Sequence, residues 1–149
     1  QRAEILGTYS VLGGGFNLRL VKEQPQVAAY MLDFNNWLNS KSPRAAEFRK
    51  RIEDAGNTLT FEVPVGYLAV KLLADAFERA ASTDREKVIA ALETSTFNDS
   101  MMPFDETKFV NGQNQGARAV LLQVQDNDII SVWPERFAAK PPVFPRPRA

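Results

Sequence analysis

Residues 66–86, GYLAVKLLADAFERAASTDRE, carry the most informative pattern in this chain of 149 residues. Residues 67–81 are apolar or Ala over most of a helix circumference, and the other positions form one polar stripe of Lys71, Asp75, Glu78 and Arg79. This pattern predicts a helix that packs on two sides, as in a layered α/β domain. Thr83 and Glu86 then have the spacing of a capping box, which predicts a second helix ending near Thr94.

A hairpin pattern occupies residues 120–134, VLLQVQDNDIISVWP. Two β-leaning runs, residues 120–124 and 129–133, flank the turn-forming residues 126–128, which predicts two antiparallel strands. Neither this segment nor the long helix carries a group suited to catalysis. Together the two segments predict a scaffold that binds a small molecule.

The composition excludes several classes of function. Lys plus Arg and Asp plus Glu both number 18, so no net field draws the chain to nucleic acid or to an anionic membrane. The chain has no Cys and no His, which removes thiol nucleophiles, Cys or His zinc sites and the usual general base near neutral pH. We therefore predict a protein that is not an enzyme, with no catalytic residues, no cofactor, no metal site and no nucleic-acid partner.

A glycine loop near the start of the sequence is a candidate ligand site. Residues 4–11 form a β-leaning run that is closed by Gly13, Gly14 and Gly15. A strand that runs into such a loop suits the carboxyl end of a sheet strand, where α/β proteins place ligands. Neither GxxxxGK[ST] nor a full GxGxxG motif is present, so a turn is favoured over a nucleotide site. Phe16 beside the loop is either a pocket wall or a staple to the next helix.

The rest of the chain predicts shorter elements. Trp37 and Trp133 are expected to be packing residues, and the Pro-rich residues 140–149 are expected to form an extended tail after a domain of residues 1–139. The other expected elements are a short helix over 17–24, a buried strand or helix over 27–34, a helix over 43–55 that Ser42 caps, an extended segment over 57–65 and a short strand over 107–110.

Two side chains near the start of the long helix are candidates for ligand contact. Tyr67 can stack on a ligand and donate a hydrogen bond, or it can pack on the sheet as a capping aromatic. Glu62 can meet an ammonium or hydroxyl group, or it can stay solvated at a strand edge. Asp99 and Asp105 flank a loop and can be considered as an acid/base pair, although turn and capping roles are favoured.

The order of these segments resembles the closing third of the solute-binding proteins of branched-chain amino acid type ABC transporters. The similarity is carried by GYLAVKLLADAFERA, then STDREKVIAALE, then TKFVNGQNQGARAVLLQVQDNDIISVWP. The tail PERFAAKPPVFP is also similar to tails of that family, and the opening LGTYSVLGGGF resembles a strand and loop of the family's C-terminal lobe. The run of matches in order makes the resemblance specific.

The resemblance implies an α/β fold of the type I periplasmic-binding class, with a layered sheet and helices. Family members are more than twice as long and have two lobes, so residues 1–139 would be the C-terminal portion of such a domain, contributing to both lobes. The implied protein is an extracytoplasmic receptor, periplasmic or lipid-anchored. It would bind a small amino acid-like, amide or aromatic acid ligand in the cleft between the lobes and deliver it to a membrane ABC permease.

By position, five residues match places where the family's cleft loops contact ligand: Gly14, Gly15, Phe16, Glu62 and Tyr67. The alternative hypothesis is a ligand-sensing domain of a regulator with the same fold, and a third is a small hydrolase that uses Asp99 and Asp105. The piece alone is expected to be marginally stable or to self-associate, because an incomplete fold leaves sheet edges and apolar surfaces uncovered.

Overall fold

The computed structural model describes residues 18–147 of the chain. The predicted first strand and glycine loop, with Gly14, Gly15 and Phe16, lie outside this range. The described helices are α1 (Leu18–Glu23), α2 (Pro25–Ala28), α3 (Pro43–Asp54), α4 (Glu62–Ala80) and α5 (Arg85–Glu93), with a 3-10 turn at Glu135–Phe137. The described strands are β1 (Leu32–Asn35), β2 (Phe109–Val110), β3 (Gln113–Asn114), β4 (Val120–Gln125) and β5 (Asp128–Trp133).

The main sheet has the strand order β1-β4-β5, and both pairings are antiparallel. The predicted hairpin is confirmed as β4 and β5, but its turn has two residues rather than three. Asp126 and Asn127 form this turn in the left-handed region, at φ 52° and 59°, which Asp and Asn tolerate better than most side chains. Asp128 is therefore the first residue of β5, where both of its carboxylate oxygens accept hydrogen bonds of 3.0 Å from Arg49 of α3.

Strand β4 is buried on both of its faces. Val120, Leu122 and Val124 lie in the main apolar core, together with residues of α1, of α3 and of the segment around Trp37. On the opposite face, the side chain of Gln123 accepts a hydrogen bond from Val143 N (2.8 Å) and donates one to Val143 O (3.0 Å). The C-terminal tail thus lies along β4, held by a side-chain amide that pairs with backbone.

Helix α3 forms where the sequence predicts it. The Oγ of Ser42 accepts a hydrogen bond of 3.4 Å from Ala45 N, and Pro43 occupies the first turn, where its missing N–H has no helical partner. Ala45 and Phe48 are buried, whereas Lys50 and Asp54 lie on the exposed side of the helix. The helix ends at Asp54, and Gly56 follows with a φ of 74°.

Helix α4 begins at Glu62, so the prediction of an extended segment over 57–65 is wrong for its last four residues. Pro64 lies in the first turn, where backbone N–H groups have no intrahelical acceptor, and it is therefore compatible with the helix. Glu62 opens the helix instead of lying at a strand edge. The next helix also differs from prediction, because Asp84 and not Thr83 caps α5 by accepting a hydrogen bond of 3.1 Å from Lys87 N.

The two predicted packing sides of α4 are not both covered. Pro64, Leu68 and Ala76 are buried on one side. The other side exposes an apolar stripe, which we call the α4 stripe, made of Tyr67, Val70, Leu73 and Phe77. Val70 is 69% exposed, so the prediction of packing on two sides is wrong for this chain.

The structure also tests the predicted packing of the two tryptophans and the predicted single element over residues 27–34. Trp37 is buried in the core as expected, but Trp133 is 63% exposed, so its predicted packing role is wrong. The segment predicted as one element over 27–34 contains the end of α2 and most of β1, divided at Tyr30, which has a φ of 64°. No helix within residues 18–147 is long and apolar enough to cross a membrane.

Candidate functional site

Tyr67, the aromatic residue that the sequence singled out, lies between α3 and α4. It occupies the second turn of α4 and is 36% exposed. Its ring packs against Phe48 of α3 with a centroid distance of 5.1 Å and a tilt of 48°. This geometry, rather than stacking on the sheet, fixes the ring while leaving part of the side chain open to solvent.

A cavity of about 270 Å³ lies beside Tyr67, and we call it the α3–α4 cavity. Helix α3 presents two arginines and one glutamate there, α4 contributes Tyr67, and the loop after α5 contributes Met101. Its lining residues are Arg44, Glu47, Phe48, Arg51, Tyr67 and Met101. Charged and hydroxyl groups of this kind suit a small polar solute.

An ion pair fixes one edge of the α3–α4 cavity. Arg44 Nη2 lies 2.8 Å from Asp99 Oδ2, and the Asp99 side chain is only 3% exposed. The other oxygen of Asp99 accepts a hydrogen bond of 3.0 Å from Met101 N, which holds the loop after α5 against α3. Arg44 is therefore a structural cation, although its positive charge still contributes to the potential in the cavity.

A second cavity, of about 220 Å³, lies on the buried side of α4, and we call it the α4 cavity. Apolar side chains from α4 and from the loop after α5 form its wall, namely Val65, Leu68, Ala69, Leu72, Phe97 and Phe104. Polar residues form the rest of the lining and include Asn36, Asn98, Asp99, Asp105, Thr107 and Asn114. An apolar wall with a few convergent polar groups is the usual character of a small-molecule pocket.

The two carboxylates considered for acid/base work both line the α4 cavity, but each is engaged elsewhere. Asp99 pairs with Arg44, and Asp105 lies 3.1 Å from Arg118 Nε and 3.2 Å from Arg136 Nη2. The hydrogen bond from Arg136 is the main cause that lowers the pKa of Asp105, and desolvation opposes it. A carboxylate whose pKa is lowered is a poor proton donor near neutral pH, so this pair does not have the properties of an acid/base couple.

Glu62 is the one other predicted ligand residue that lies within residues 18–147, and the structure does not bring it to Tyr67. Glu62 is exposed at the first turn of α4, where its charge is favourable near the positive helix end, and it does not line the α3–α4 cavity. The same part of the chain contains no group of three or more acidic side chains that could hold a metal ion.

Sequence reasoning missed the charged residues of the α3–α4 cavity. Glu47 and Arg51 resemble any solvated helix face in the sequence, because their i,i+4 spacing is common on exposed helices. Only the tertiary contact between Phe48 and Tyr67 shows that this face of α3 meets α4. The sequence gives no sign of that contact, because Phe48 has the spacing of an ordinary inward-facing helix residue.

Comparisons with known proteins give one family and one fold. The sequence model of the family described as periplasmic binding protein matches residues 6–128. The crystal structure of a leucine binding protein, LivK from Thermotoga maritima, matches with a TM-score of 0.57 and 23% sequence identity. The match covers 75% of this chain and 32% of that chain, and at this identity it shows the fold alone. No curated protein matches.

Proposed function

The chain belongs to the periplasmic binding protein family, and on that premise we propose that it forms part of a receptor for an ABC importer. The receptor binds a small amino acid-like, amide or aromatic acid solute between two lobes and delivers it to a membrane permease. The proposal extends the family assignment in two respects, namely the class of solute and the permease partner.

Family membership and the matched structure support the general part of this proposal. The fold is a part of the type I periplasmic-binding fold, and we propose for the chain the solute-binding, non-enzymatic role of that family. Membership also implies an extracytoplasmic location. The resemblance seen in the sequence is thereby confirmed, and the hypothesis of a small hydrolase has no further support.

The placement of Tyr67 is the observation that carries the proposal of a solute site. A tyrosine whose ring is fixed by Phe48 and whose remaining surface borders a polar cavity can offer an aromatic face and a hydroxyl to a solute. The charged residues on α3 surround the same cavity. We therefore propose Tyr67 as a ligand contact, with Glu62, Gly14, Gly15 and Phe16 as candidates that approach from neighbouring loops.

The exposed α4 stripe supports the proposal that the chain contributes to both lobes of a longer receptor. Val70, Leu73 and Phe77 form an apolar surface on a helix whose other side is packed. A monomer rarely leaves such a surface open without a partner. Because the chain spans only 32% of the matched leucine binding protein, further parts of a receptor would be available to cover the stripe.

A binding titration with matched tyrosine variants tests the solute site. We expect L-leucine, L-glutamine and benzoate to differ in their affinity for the chain, and Tyr67→Ala to weaken the preferred solute by about tenfold or more. Tyr30→Phe serves as the control, because Tyr30 does not line the α3–α4 cavity. Calorimetry measures both affinities after melting curves establish that the variants are folded.

An unchanged affinity in Tyr67→Ala would make the tyrosine a packing residue only.

A second experiment separates an importer from a regulator of the same fold. Pull-down with a permease of the branched-chain type should retain the importer receptor in a solute-dependent manner, whereas solute-dependent capture of a signalling protein would favour the regulator.

A further inference from the structure

Two buried glutamines, which we call the glutamine pair, lie on the face of β4 opposite the core. Gln123 is 1% exposed and Gln125 is 7% exposed. Successive side chains of a strand point to opposite faces, so this pair points away from the face on which Val124 joins the core. Buried amide groups are stable only where their donors and acceptors have partners. For the glutamine pair, the C-terminal tail supplies three of these hydrogen bonds.

The tail meets the glutamine pair in the manner of an antiparallel strand. Gln125 Nε2 donates a hydrogen bond of 3.0 Å to Pro141 O. Two residues earlier in β4, Gln123 accepts a hydrogen bond of 2.8 Å from Val143 N and donates one of 3.0 Å to Val143 O. The strand and the tail therefore advance by two residues between contacts, in opposite directions. All three contacts are to the backbone of the tail, so the glutamine pair recognises an extended main chain rather than particular side chains.

The first proline of this contact stands where no N–H is required, since proline lacks this donor. Gln125 bonds only to the carbonyl of Pro141, and a carbonyl is present in every residue. Gln123 also accepts an N–H, and at that position the tail has Val143. Proline keeps a segment extended before it binds, which reduces the entropy cost of docking. The glutamine pair therefore suits an extended segment, with proline allowed at the first contact and excluded at the second.

The hydrogen bonds of the glutamine pair are complete only when a segment occupies it. A glutamine amide has two N–H groups and an oxygen with two lone pairs. The N–H groups of Gln123 bond to Tyr30 O and Val143 O, and its oxygen accepts from Val143 N and Gln125 Nε2. Release of the tail breaks the two bonds at Val143 and the one at Pro141. Because unmade hydrogen bonds of buried groups are costly, an empty glutamine pair is a site for another segment with the same backbone pattern.

Two further contacts of the tail lie at the protein surface. Lys140 Nζ lies 2.6 Å from Asp126 Oδ2, and Arg146 Nη2 donates a hydrogen bond of 3.3 Å to Gln26 O. Both contacts are exposed, and exposed ionic contacts contribute little to stability. The stronger attachment is therefore at the glutamine pair, through backbone atoms that every copy of the chain carries.

From these observations we infer that the glutamine pair is a docking site for an extended peptide segment, and that it accepts the tail of a second copy of this chain in exchange for the chain's own tail. A second copy offers the same backbone atoms at Pro141 and Val143, so tail exchange restores every hydrogen bond that release breaks. The chain's own tail competes through an effective concentration on the order of millimolar. Tail exchange therefore requires a high concentration of chain or a weakened tail. This inference does not depend on the proposed solute site.

Two complementary variants of the 149-residue chain test tail exchange. Val143→Pro keeps the glutamine pair but removes the N–H from the tail, whereas Gln123→Met keeps the tail but removes the docking amide. The amide of Val143 in isotope-labelled Gln123→Met should exchange its hydrogen rapidly when this chain is alone. We expect added Val143→Pro chain, at a concentration on the order of millimolar, to slow that exchange by about tenfold or more, because it binds the free tail. An unchanged exchange rate would overturn tail exchange.

A chain with both substitutions is the matched control, because it offers neither the docking amide nor a competent tail. Its addition should leave the Val143 amide exchanging rapidly, and protection by it would overturn the assignment to Gln123. All of these chains also carry Val70→Glu, so that association through the α4 stripe does not contribute. Melting curves establish that each variant is folded.

The peptide AAKPPVFPRPRA, residues 138–149, tests the docking site on the unmodified chain and decides the question if a variant does not fold. Excess peptide should displace the chain's own tail, so that the amide signal of Val143 in the labelled chain moves to its position in the free peptide. The peptide with Val143→Pro should need about tenfold more for the same displacement, and the one with Pro141→Val should act as the parent peptide does. No displacement at all, or equal displacement by the parent peptide and by Val143→Pro, would overturn the docking site.

Discussion

The antiparallel sheet and the α4–α5 helix pair are both rich in apolar residues, yet they are buried to very different extents. In β4, five of six residues are buried. In α4, which has 19 residues, the buried ones are Pro64, Leu68 and Ala76. Strand β4 is covered on one face by the core and on the other by the chain's own tail, whereas the α4 stripe stays partly open to solvent, with Val70 69% exposed.

This difference shows that apolar sequence alone does not determine burial. Removal of apolar area from water stabilises a fold, but it requires a second surface against which the apolar side chains pack. For the hairpin, the helices and the tail of the same chain provide that surface. The helix pair has only one such surface here, which agrees with a role as one side of an interface in a larger receptor.

The largest expected effect compares one leucine from each region. Leu122→Ala should lower the free energy of unfolding by about 2–5 kcal/mol, because Leu122 is fully buried and its truncation leaves a cavity. Leu73→Ala, in the α4 stripe, should change it by less than about 1 kcal/mol. Urea denaturation measures both, and similar losses at the two positions would show that the helix pair is as well packed as the sheet.

The next effect concerns the tail that covers β4. Gln123→Met keeps the shape of the side chain but removes the two hydrogen bonds to Val143, the one donated to Tyr30 O and the one accepted from Gln125 Nε2, so it should cost about 1–3 kcal/mol. The amide of Val143 should then exchange its hydrogen faster. Gln113→Met, at an exposed site in β3, is the control. Unchanged exchange at Val143 would mean that the tail does not depend on Gln123.

The smallest effect is a dependence on pH at the edge of the α4 cavity. The pKa of Asp105 is lowered in the folded chain, chiefly by the hydrogen bond from Arg136. Its stabilising contribution is therefore fully present above the ordinary carboxyl pKa of about 4, and it is lost as the pH falls through the lower folded value. Asp105→Asn should reduce this part of the acid sensitivity in denaturation curves, and identical pH profiles would contradict it.

Much of the fold was predictable because it depends on local chemistry. The Ser42 cap with Pro43 specifies α3, and the turn residues Asp126 and Asn127 specify the hairpin. The start of α4 was not predictable, because Pro64 suits an extended segment as well as a first helical turn. Periodicity identified the apolar character of α4, but it did not show how many sides of the helix pack against another element.

The candidate site was predictable only in part. Tyr67 stood out because an aromatic residue opens an apolar helix after Gly66, and the structure places it beside a cavity. Glu47 and Arg51 were not recognised, because the cavity that they line forms only where α3 packs against α4. The cleft residues proposed from the glycine loop stay a prediction.

We propose that the α4 stripe is the surface that another part of a longer receptor covers. Sedimentation of the isolated 149-residue chain over a range of concentrations tests it most directly. We expect concentration-dependent association that Val70→Glu weakens strongly and that Trp133→Glu, at an exposed aromatic outside the stripe, leaves unchanged. A chain that stays monomeric at all concentrations and melts in one cooperative transition would contradict it.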